Sequence, residues 1–389
     1  MVLSVVAFFV MMGVSIISPV LPSYGLSFGV SLALVGLLIS AFAVARVLLD
    51  IPAGMFGARY GMRRLMLLGL ATIAISSLLA GVAISYPMLL AARVFEGIGS
   101  ALYTTTSITA VSQLAPPASR GAHLSFYLSM FLVGTSFGPA VGGFVSLHFG
   151  LGAPFIVYGI CAAASFFLVF GLVDDVRPES GRTEKISLRQ LGRLLVRFDL
   201  LAINLATIAI FINRQGIINT IVPLYARYDL GIDEGMLGLI LTLSAVCNLV
   251  MMVVAGRLTD IYGRKPFLMG ALILLAALVV ILPLTHDPFS FTIVLMAMGM
   301  SIGLSGPIAA WVADVTRPED LGAAMGLFRT MGDLGFVIAP VSLASIAGQT
   351  GESVGPAPFI VAGAALLLLS LPLVRTRDPA AERRRPGQA

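Results

Sequence analysis

Four arginines lie in stretches of sequence that are otherwise apolar, and three of them have an acidic residue within one helical turn. The three pairs are Arg46 and Asp50, Arg93 and Glu96, and Arg329 and Asp333. Side chains three or four positions apart on a helix lie on the same face, so each pair can form an ion pair. Such pairing reduces the cost of a charge in apolar surroundings, which is several kcal/mol inside a membrane.

The fourth arginine, Arg214, has no acidic residue within a turn of the stretch TIAIFINRQGIINTIVP, residues 207–223. Its polar neighbours in this stretch are Asn213, Gln215 and Asn219. Its partner must therefore come from another helix, from the backbone, from water or from a bound solute. We keep two interpretations: a structural ion pair, for example with Glu96 or Asp333, and a direct contact with an anionic or hydrogen-bonding group of a ligand.

Glu96 is the acidic residue that we expect to bind and release a proton. A carboxyl group in low-dielectric surroundings binds a proton more readily than one in water. A static ion pair with Arg93, which only neutralises two buried charges, is the alternative. The predicted proton-coupling residues are Glu96, Arg93 and Asp333.

Polar residues within the apolar stretches are candidates for lining a cavity that binds a solute. They are Arg46, Tyr127, Asn213, Arg214, Gln215, Asn219 and Arg329. For an aromatic residue such as Tyr127, packing inside the protein is the alternative interpretation.

The composition requires an integral membrane protein. The chain has 389 residues, of which 58% are hydrophobic and 11% charged, and its mean hydropathy is +1.00. A membrane-spanning helix needs roughly 20 apolar residues. The sequence predicts twelve spanning helices, at residues 1–22, 32–57, 65–84, 87–111, 122–147, 153–173, 200–226, 236–258, 267–284, 290–313, 322–348 and 357–374.

The positive charges are distributed as a membrane topology requires. Outside the predicted spans, every Lys and Arg except Arg227 lies in the loops and tail on one side, which the positive-inside rule makes cytoplasmic. Both termini are therefore predicted to be cytoplasmic. The net charge of +5 is explained by this asymmetry, and we expect no nucleic-acid partner.

One long polar connection, residues 174–199, divides the chain into six-helix halves at 1–173 and 200–389. Its segment ISLRQLGRLLVRF, residues 186–198, spaces arginines four apart and predicts an amphipathic helix. Such a helix suits an anionic membrane surface, although a solvated linker helix fits the pattern equally well.

The two halves repeat each other. GMFGARYGMRR at 54–64 matches GRLTDIYGRK at 256–265, a shift of 202 positions. The same landmark residues recur at a shift of 201: Pro22 and Pro223, Gly134 and Gly335, Pro139 and Pro340. Parallel repeats of this kind are typical of secondary transporters with a binding site between the halves.

GRLTDIYGRK resembles the signature loop of the major facilitator superfamily, with Gly256, Asp260, Gly263, Arg264 and Lys265 in register. The resemblance covers nearly the whole chain. It implies twelve helices in two six-helix repeats, an all-α membrane fold, and a loop that latches the halves in one state.

The first copy of the loop keeps Gly54, Arg59, Gly61 and Arg63, but Ala58 replaces the acid and Met62 replaces a basic residue. A latch that depends on an acid is therefore not expected in the first half.

GTSFGPAVGG at 134–143 resembles the antiporter motif of the same superfamily. Its residues are Gly134, Gly138, Pro139, Gly142 and Gly143. Glycines every four residues on one helix face allow a neighbouring backbone to approach closely. The resemblance implies exchange of drugs for protons, and glycine packing without a transport direction is the alternative. ARVFEGIGSAL at 92–102 similarly resembles the family's R-x-x-x-G motif, whose arginine is associated with proton movement.

Several other functions have no signature in the sequence. There is no Walker loop, no G-x-S-x-G nucleophile motif and no haem motif, and the three histidines share no ligand spacing. We therefore predict neither an enzyme, nor a cofactor, nor a metal site.

The prediction is a monomeric, multi-pass transporter of a bacterial cytoplasmic (inner) membrane, which exports small amphiphilic compounds in exchange for protons. Its partners are the small-molecule substrate, protons and the lipid bilayer. The first helix has no acidic residue, unlike some multidrug exporters of the superfamily. An uptake carrier for an organic acid, sugar or similar metabolite is therefore the second hypothesis, and a non-transporting sensor or scaffold ranks third.

Overall fold

The computed structural model describes residues 1–116, 119–174, 188–347, 353–376 and 378. Within these ranges, the side chains outside the description are those of Ile51, Ala58, Leu188, Arg189, Leu191, Asp260 and Pro318. The described residues form an almost wholly helical protein. The helices of the first part of the chain are α1 (Val2–Ile16), α2 (Leu21–Leu26), α3 (Leu32–Tyr60), α4 (Met62–Gly81), α5 (Tyr86–Leu114), α6 (Arg120–Phe149) and α7 (Ala153–Leu172).

A short helix, α8 (Leu188–Val196), precedes the second part of the chain. There α9 (Phe198–Phe211) continues into a π-helix, Ile212–Ile221, which we call the π segment, and then into α10 (Val222–Tyr228). The remaining helices are α11 (Glu234–Tyr262), α12 (Arg264–Ile281), α13 (Pro288–Leu304), α14 (Ile308–Val315), α15 (Leu321–Ala347) and α16 (Ala357–Ser370).

Ten helical segments of the described residues are long and apolar enough to cross a membrane. Two further helices complete the predicted twelve. Helix α1 is apolar but has 15 residues before a turn leads into α2. Helix α5 has 29 residues, and it carries Arg93, Glu96 and three consecutive threonines, which lower its hydropathy. The predicted fold class is confirmed.

The first compact unit comprises Met1–Arg182 together with Gly231–Thr242, so it includes the beginning of α11. Inside it, α1 packs against α6 and α7, while α5 packs against α3 and α4. Its core is a cluster of aliphatic side chains around three fully buried tyrosines, Tyr103, Tyr127 and Tyr158. This packing holds the polar residues of α5 away from solvent.

The second unit comprises Thr183–Leu230 and Leu243–Ala389. Here α9 and the π segment pack against α15, and α12 packs against α13 and α16. The packing of α9 and the π segment against α15 corresponds to that of α1 against α6. The packing of α12 against α13 and α16 corresponds to that of α4 against α5 and α7. Pro22 and Pro223 also lie in the first turns of α2 and α10, respectively, where the fixed φ of proline suits a helix.

Glycines at equivalent positions make the same close approach in both units. A β-carbon at Gly97 of α5 would lie 2.4 Å from the carbonyl oxygen of Phe42 in α3. A β-carbon at Gly299 of α13 would lie 2.1 Å from the carbonyl oxygen of Ser244 in α11. Gly299 and Ser244 each lie 202 positions after Gly97 and Phe42, respectively. The duplication therefore extends to single backbone contacts.

The predicted amphipathic helix forms at Leu188–Val196, and the start of the predicted segment lies outside the described residues. Leu194 is buried, while Arg193 and Val196 are exposed. The amide of Gln190 donates to Asp320 Oδ1 at 2.6 Å, which ties α8 to the turn before α15. Its position on a membrane surface stays a prediction.

Candidate functional site

Glu96 and Arg93 form a buried ion pair within α5. The exposed fraction of Glu96 is 0% and that of Arg93 is 4%. Nη1 of Arg93 contacts Oε2 of Glu96, and the hydroxyl of Ser77 in α4 donates to Oε1 at 2.7 Å. The guanidinium lies 4.6 Å from the ring centroid of Phe42, and its Nε donates to the carbonyl of Leu38 at 3.4 Å. Three helices therefore position this one carboxylate.

This geometry satisfies both charges without any group from outside the first unit. Buried charges require a partner and hydrogen bonds, because desolvation is expensive. A proton that binds to Glu96 would remove the anionic partner of Arg93. The arrangement is thus compatible with the proton-coupling interpretation and with the static pair.

The other two predicted pairs are more accessible to solvent. Nε of Arg46 lies 3.9 Å from Oδ2 of Asp50 in α3, and the hydroxyl of Thr105 donates to Oδ1 of Asp50 at 3.1 Å. On α15, Arg329 is exposed and Asp333 is half-buried. Neither acid is as fully enclosed as Glu96.

The predicted polar cluster around Arg214 lies entirely in the π segment. The amide of Asn219 donates to Oε1 of Gln215 at 2.6 Å, so these two side chains satisfy one another. The hydroxyl of Thr220 donates to the carbonyl of Gln215, five residues earlier, at 2.7 Å. Backbone hydrogen bonds between residues five apart define a π-helix, and π-helices occur frequently at functional sites.

Asn213 differs from its polar neighbours. It is 0% exposed, and neither its amide nitrogen nor its amide oxygen has a hydrogen-bond partner among the described residues. Arg214 is half-buried and forms no ion pair within the described ranges. No ion pair of Arg214 with Asp333 is present among the described residues, and Glu96 is held by Arg93.

Tyr127 lies in the packed core of the first unit. It is fully buried, and its hydroxyl is 2.7 Å from the hydroxyl of Ser107 in α5. The structure thus brings Tyr127 close to α5, while the polar candidates of the π segment belong to the second unit.

The second glycine of each copy of the duplicated loop lies where the chain turns between two helices. Gly61 ends α3 with φ +98°, and Gly263 precedes α12 with φ +92°. Side chains with a β-carbon rarely adopt this left-handed region, which explains glycine at both positions. Gly54 and Gly256 lie inside α3 and α11 and Arg59 is exposed in the last turn of α3.

The basic residues of the loop bind the ends of neighbouring helices. Arg63 donates to the carbonyl of Phe170 near the end of α7, and Nζ of Lys265 donates to the carbonyl of Val374 at 2.6 Å. Arg264 forms an ion pair with Asp314 in α14. The C-terminal end of a helix carries unsatisfied carbonyls and a partial negative charge, which cations stabilise. The side chain of Asp260 lies outside the description, so the acid-dependent latch stays a prediction.

The glycine face of α6 packs against α1. A β-carbon at Gly134 would lie 2.4 Å from the carbonyl oxygen of Phe8, and one at Gly142 would lie 1.8 Å from that of Ile16. At Gly138 it would lie 1.9 Å from the hydroxyl of Ser15. The two helices therefore meet closely enough to exclude any side chain at these positions.

The other face of the same motif contacts the beginning of α11, within the first unit. A β-carbon at Gly143 would lie 2.3 Å from the carbonyl oxygen of Glu234. After Pro139, the backbone N–H of Ala140 donates to the hydroxyl of Thr242 at 2.9 Å. Sequence reasoning did not find α11 as a partner.

Two contributors to the Glu96 site were also missed. Ser77 and Phe42 belong to α4 and α3, and nothing in their local sequence distinguishes them from other helical residues. Only the packing of three helices brings them to the ion pair.

Comparison with known proteins identifies the family. The model of the Major Facilitator Superfamily matches residues 3–215 and again 203–389, so the two matches together cover almost the entire chain. The chain belongs to the Major Facilitator Superfamily. It is accordingly a multi-pass membrane transporter and not an enzyme.

Its relatives are distant in sequence but similar in length. An uncharacterised MFS-type transporter of Methanocaldococcus jannaschii is 24% identical over 89% of this chain and 90% of that protein. Multidrug resistance protein 2 of Bacillus subtilis is 23% identical over 86% of this chain and 84% of that protein. A crystal structure of the nucleoside transporter NupG superposes with a TM-score of 0.81 at 12% identity, covering 96% and 98% of the two chains. That structural likeness supports the fold alone.

Proposed function

We propose that this transporter exports small, amphiphilic molecules in exchange for protons. The observation that carries the proposal is the fully buried carboxyl group of Glu96 in a membrane-spanning helix. A relative in Bacillus subtilis is named a multidrug resistance protein, which supports export of drug-like compounds.

Glu96 is the proton-binding group of this proposal. Its charge is balanced in the present state by Arg93 and by the hydroxyl of Ser77. Protonation makes the carboxyl neutral, and Arg93 is then left as an unpaired cation in a low-dielectric site. Because an unpaired buried charge is costly, the protonated protein favours a conformation that gives Arg93 another partner or access to water.

Exchange follows if the two conformations differ in their affinity for the proton and for the substrate. Coupling between two ligands is reciprocal, so a substrate that favours the deprotonated state promotes proton release. The close contact of the glycine face of α6 with α1 supports this scheme, because closely packed helices move together. The alternative role of these glycines, in stability alone, predicts no effect on coupling.

The polar side chains of the π segment are the proposed substrate contacts in the second unit. Asn213 has an unpartnered donor and acceptor, and Arg214 has no ion pair among the described residues. Buried polar groups are normally hydrogen-bonded. A substrate that offers hydrogen-bonding groups would satisfy them. Arg46, Tyr127 and Arg329 remain further candidates for the cavity.

In this proposal the protein acts as a monomer in the inner membrane of the cell, with both termini in the cytoplasm. The distribution of Lys and Arg supports that orientation.

The test is the internal pH of everted membrane vesicles energised by respiration, recorded while cationic, neutral and anionic compounds are added. We expect a substrate of the wild type to release protons from the vesicle interior. Glu96→Gln should abolish this release, because the amide has the shape of the carboxyl group but does not titrate. Asp50→Asn is the matched control, since Asp50 is also paired with an arginine but is not fully enclosed.

Coupled proton release that persists in Glu96→Gln would remove Glu96 from the mechanism. No proton movement with any compound, in vesicles that contain folded protein, would contradict exchange and favour the second candidate function.

That second candidate is uptake of an anionic or polar metabolite by symport or facilitated diffusion. It is favoured by the absence of an ion pair at Arg214 within the described ranges. If Arg214 binds an anionic group, Arg214→Lys should keep part of the affinity and Arg214→Ala should lose it. Equal losses of expression and folding in both variants would instead indicate a structural role. A sensor or scaffold function ranks below both candidates and predicts no transport in either direction.

A further inference from the structure

Helix α8 and the first residue of α9 expose a surface that is both cationic and apolar, which we call the α8 surface. It consists of Arg193, Leu195, Val196, Arg197 and Phe198. The exposed fraction is 82% for Val196, 47% for Phe198 and 36% for Leu195. Leu194, by contrast, is 3% exposed, and α8 packs against α9 and α15. The structure thus fixes which side of this segment points away from the protein.

The chain places the α8 surface at the boundary of the membrane. The span that contains α9 begins at Phe198, and Arg197 is the residue that precedes this helix. Because each residue advances the chain by at most about 3.6 Å, Leu195 lies within about 11 Å of the first residue of the span. This is the depth at which an interfacial helix buries its apolar side chains. The exposed apolar residues therefore continue the lipid-facing surface of α9, to which the exposed Leu201 belongs.

The arginines of the α8 surface are available to bind an anion. Arg193 and Arg197 are exposed, and neither side chain forms an ion pair or hydrogen bond with the described residues. The sequence of residues 188–198, LRQLGRLLVRF, contains no acidic residue. The positive-inside rule assigns this segment to the cytoplasmic side, where the membrane surface is negatively charged. The charge of the α8 surface is therefore complementary to lipid phosphates on that side.

A hydrogen bond connects α8 to the beginning of α15. The side-chain amide of Gln190 donates to Oδ1 of Asp320 at 2.6 Å. Asp320 ends the short turn Pro318–Asp320, and α15 begins at the next residue. Helix α15 in turn packs against the π segment, which carries the proposed substrate contacts. A shift of α8 therefore acts on a helix that contacts the candidate binding region.

We propose that the α8 surface binds the anionic lipid headgroups of the cytoplasmic leaflet, and that the hydrogen bond between Gln190 and Asp320 transmits this binding to α15. The apolar side chains enter the membrane interface while the arginines pair with lipid phosphates. The inference rests on the cytoplasmic orientation in the proposed function, and not on proton exchange. A linker helix surrounded by water is the competing interpretation, and it predicts no response to lipid charge.

The first test places a polarity-sensitive fluorophore on the α8 surface of the full chain. The label is attached to Val196→Cys after replacement of the two native cysteines, Cys161→Ala and Cys247→Ala. The protein is reconstituted in nanodiscs of phosphatidylcholine with increasing amounts of phosphatidylglycerol. The emission should move to shorter wavelength as the anionic fraction rises, because the probe enters the interface. High salt should weaken this response, because salt screens the arginines.

Neutral variants test the role of charge. Arg193→Gln should raise the phosphatidylglycerol fraction at half-maximal response about fivefold, which corresponds to about 1 kcal/mol for one basic residue at an anionic surface. The double variant Arg193→Gln, Arg197→Gln should lose the response, whereas Arg193→Lys should resemble wild type. Arg257→Gln is the matched control, since Arg257 is an exposed arginine of α11 outside the α8 surface. A response that is equal in pure phosphatidylcholine, or that persists in the double variant, overturns the inference.

Hydrogen exchange measures the transmission to α15. In wild type, the amides of residues 321–324 should exchange more slowly in nanodiscs with phosphatidylglycerol than in phosphatidylcholine alone. Gln190→Leu removes the donor to Asp320 and leaves the α8 surface in place. It should keep the fluorescence response and lose the lipid-dependent protection of α15. Protection that persists in Gln190→Leu, or that does not depend on lipid in wild type, contradicts transmission through this bond.

Failure of this inference is distinguishable from failure of the proposed function. The two leaflets of a nanodisc have the same composition, so these measurements depend neither on the orientation of the protein nor on the direction of transport. If Glu96→Gln retains coupled proton release, the proposed exchange fails while the lipid response stands. If the fluorophore does not respond to lipid charge while Glu96→Gln abolishes exchange, only the role of α8 is wrong.

Discussion

The ion pair of α5 and the π segment both place polar groups in membrane-spanning helices, but they satisfy these groups differently. In the first unit, Arg93, Ser77 and Glu96 complete one another. In the second unit, Asn213 is equally buried and has no partner among the described residues. A buried polar group without a hydrogen-bond partner destabilises the folded protein, whereas a hydrogen-bonded one stabilises it. The polar groups of the α5 pair are thus satisfied within the first unit, whereas the amide of Asn213 has no described hydrogen-bond partner in the second.

The two units also differ in how their helices make room for each other. Each pairs a glycine-bearing helix with a partner, α6 with α1 and α15 with the π segment. On α15, Leu343 occupies the place of a glycine, and the partner compensates with Gly216, whose β-carbon would lie 2.6 Å from Cδ1 of Leu343. At Gly142 of the first unit the nearest atom is the backbone carbonyl oxygen of Ile16, so this contact is less adaptable than the contact at Gly216.

The largest effect should come from breaking the α5 pair. Arg93→Leu leaves the Glu96 carboxylate buried without its cation, and we expect a loss of about 3–5 kcal/mol in the free energy of unfolding. The double variant Arg93→Leu, Glu96→Leu removes both charges and should recover most of this loss. Thermal unfolding in detergent measures both. A double variant as unstable as the single one would show that the loss of stability does not come from the unpaired Glu96 carboxylate.

The glycine contacts should rank next. Gly142→Ala places a β-carbon 1.8 Å from the carbonyl oxygen of Ile16, and overpacking against backbone costs about 1–3 kcal/mol or more. Gly216→Ala should cost less, because the end of the Leu343 side chain can turn away and the other close atom, Cβ of Ala339, is farther off at 2.9 Å. Gly121→Ala in α6 is the control, since no described atom lies within 4 Å of its β-carbon. Equal melting temperatures for Gly142→Ala and Gly216→Ala would contradict the difference between the units.

Removal of a single polar group should lower the stability of the protein in the α5 region, but not in the π segment. Ser77→Ala leaves Oε1 of Glu96 without its donor and should cost about 1–3 kcal/mol of stability. Asn213→Leu removes an amide that has no partner in the described residues, so stability should be unchanged or higher while substrate affinity falls. Denaturation and transport assays on the same preparations test this. A clear loss of stability in Asn213→Leu would indicate a partner and oppose the binding role.

The smallest expected effect on stability concerns the residues that precede the equivalent helices α13 and α5. Asp287 precedes α13, and its carboxylate accepts from the backbone N–H groups of Phe289 and Ser290, whereas Ser85 before α5 makes no such bond. Hydrogen bonds from the Ser290 side chain and backbone lower the pKa of Asp287 below its ordinary value of 3.8.

Because the folded pKa is lowered, the stabilisation by Asp287 is complete above pH 3.8 and is lost as the pH falls through the lowered value. Hydrogen exchange of the first turn of α13 should accelerate at acidic pH relative to Asp287→Asn, which keeps a capping acceptor but does not titrate. The first turn of α5 should show no such dependence. Identical pH profiles for the wild type and Asp287→Asn would refute the capping role.

Much of the fold could be predicted from local sequence. Apolar stretches of about 20 residues indicate the spanning helices, and the repeated loop and proline positions indicate two halves. The pair of Arg93 and Glu96 also follows from spacing on one helix, because residues one turn apart share a face. Such features depend on residues close together in the chain.

The π segment was not predicted. The sequence places Asn213, Arg214, Gln215 and Asn219 in an apolar helix, but an α-helix and a π-helix have the same apolar composition. Only the structure shows that Gln215 and Asn219 satisfy each other while Asn213 has no described partner. The choice between these hydrogen-bond patterns depends on packing against α15.

The sequence alone therefore determined the membrane class, the duplicated twelve-helix fold, the ion pairs of α3 and α5, and the glycine face of α6. The tertiary structure decided which surfaces meet: α1 with that glycine face, Ser77 and Phe42 with the ion pair, and α11 with Gly143. Hydropathy and spacing act along one helix, whereas these contacts depend on the rotation and separation of different helices. That is why the buried carboxylate could be named in advance and its surroundings could not.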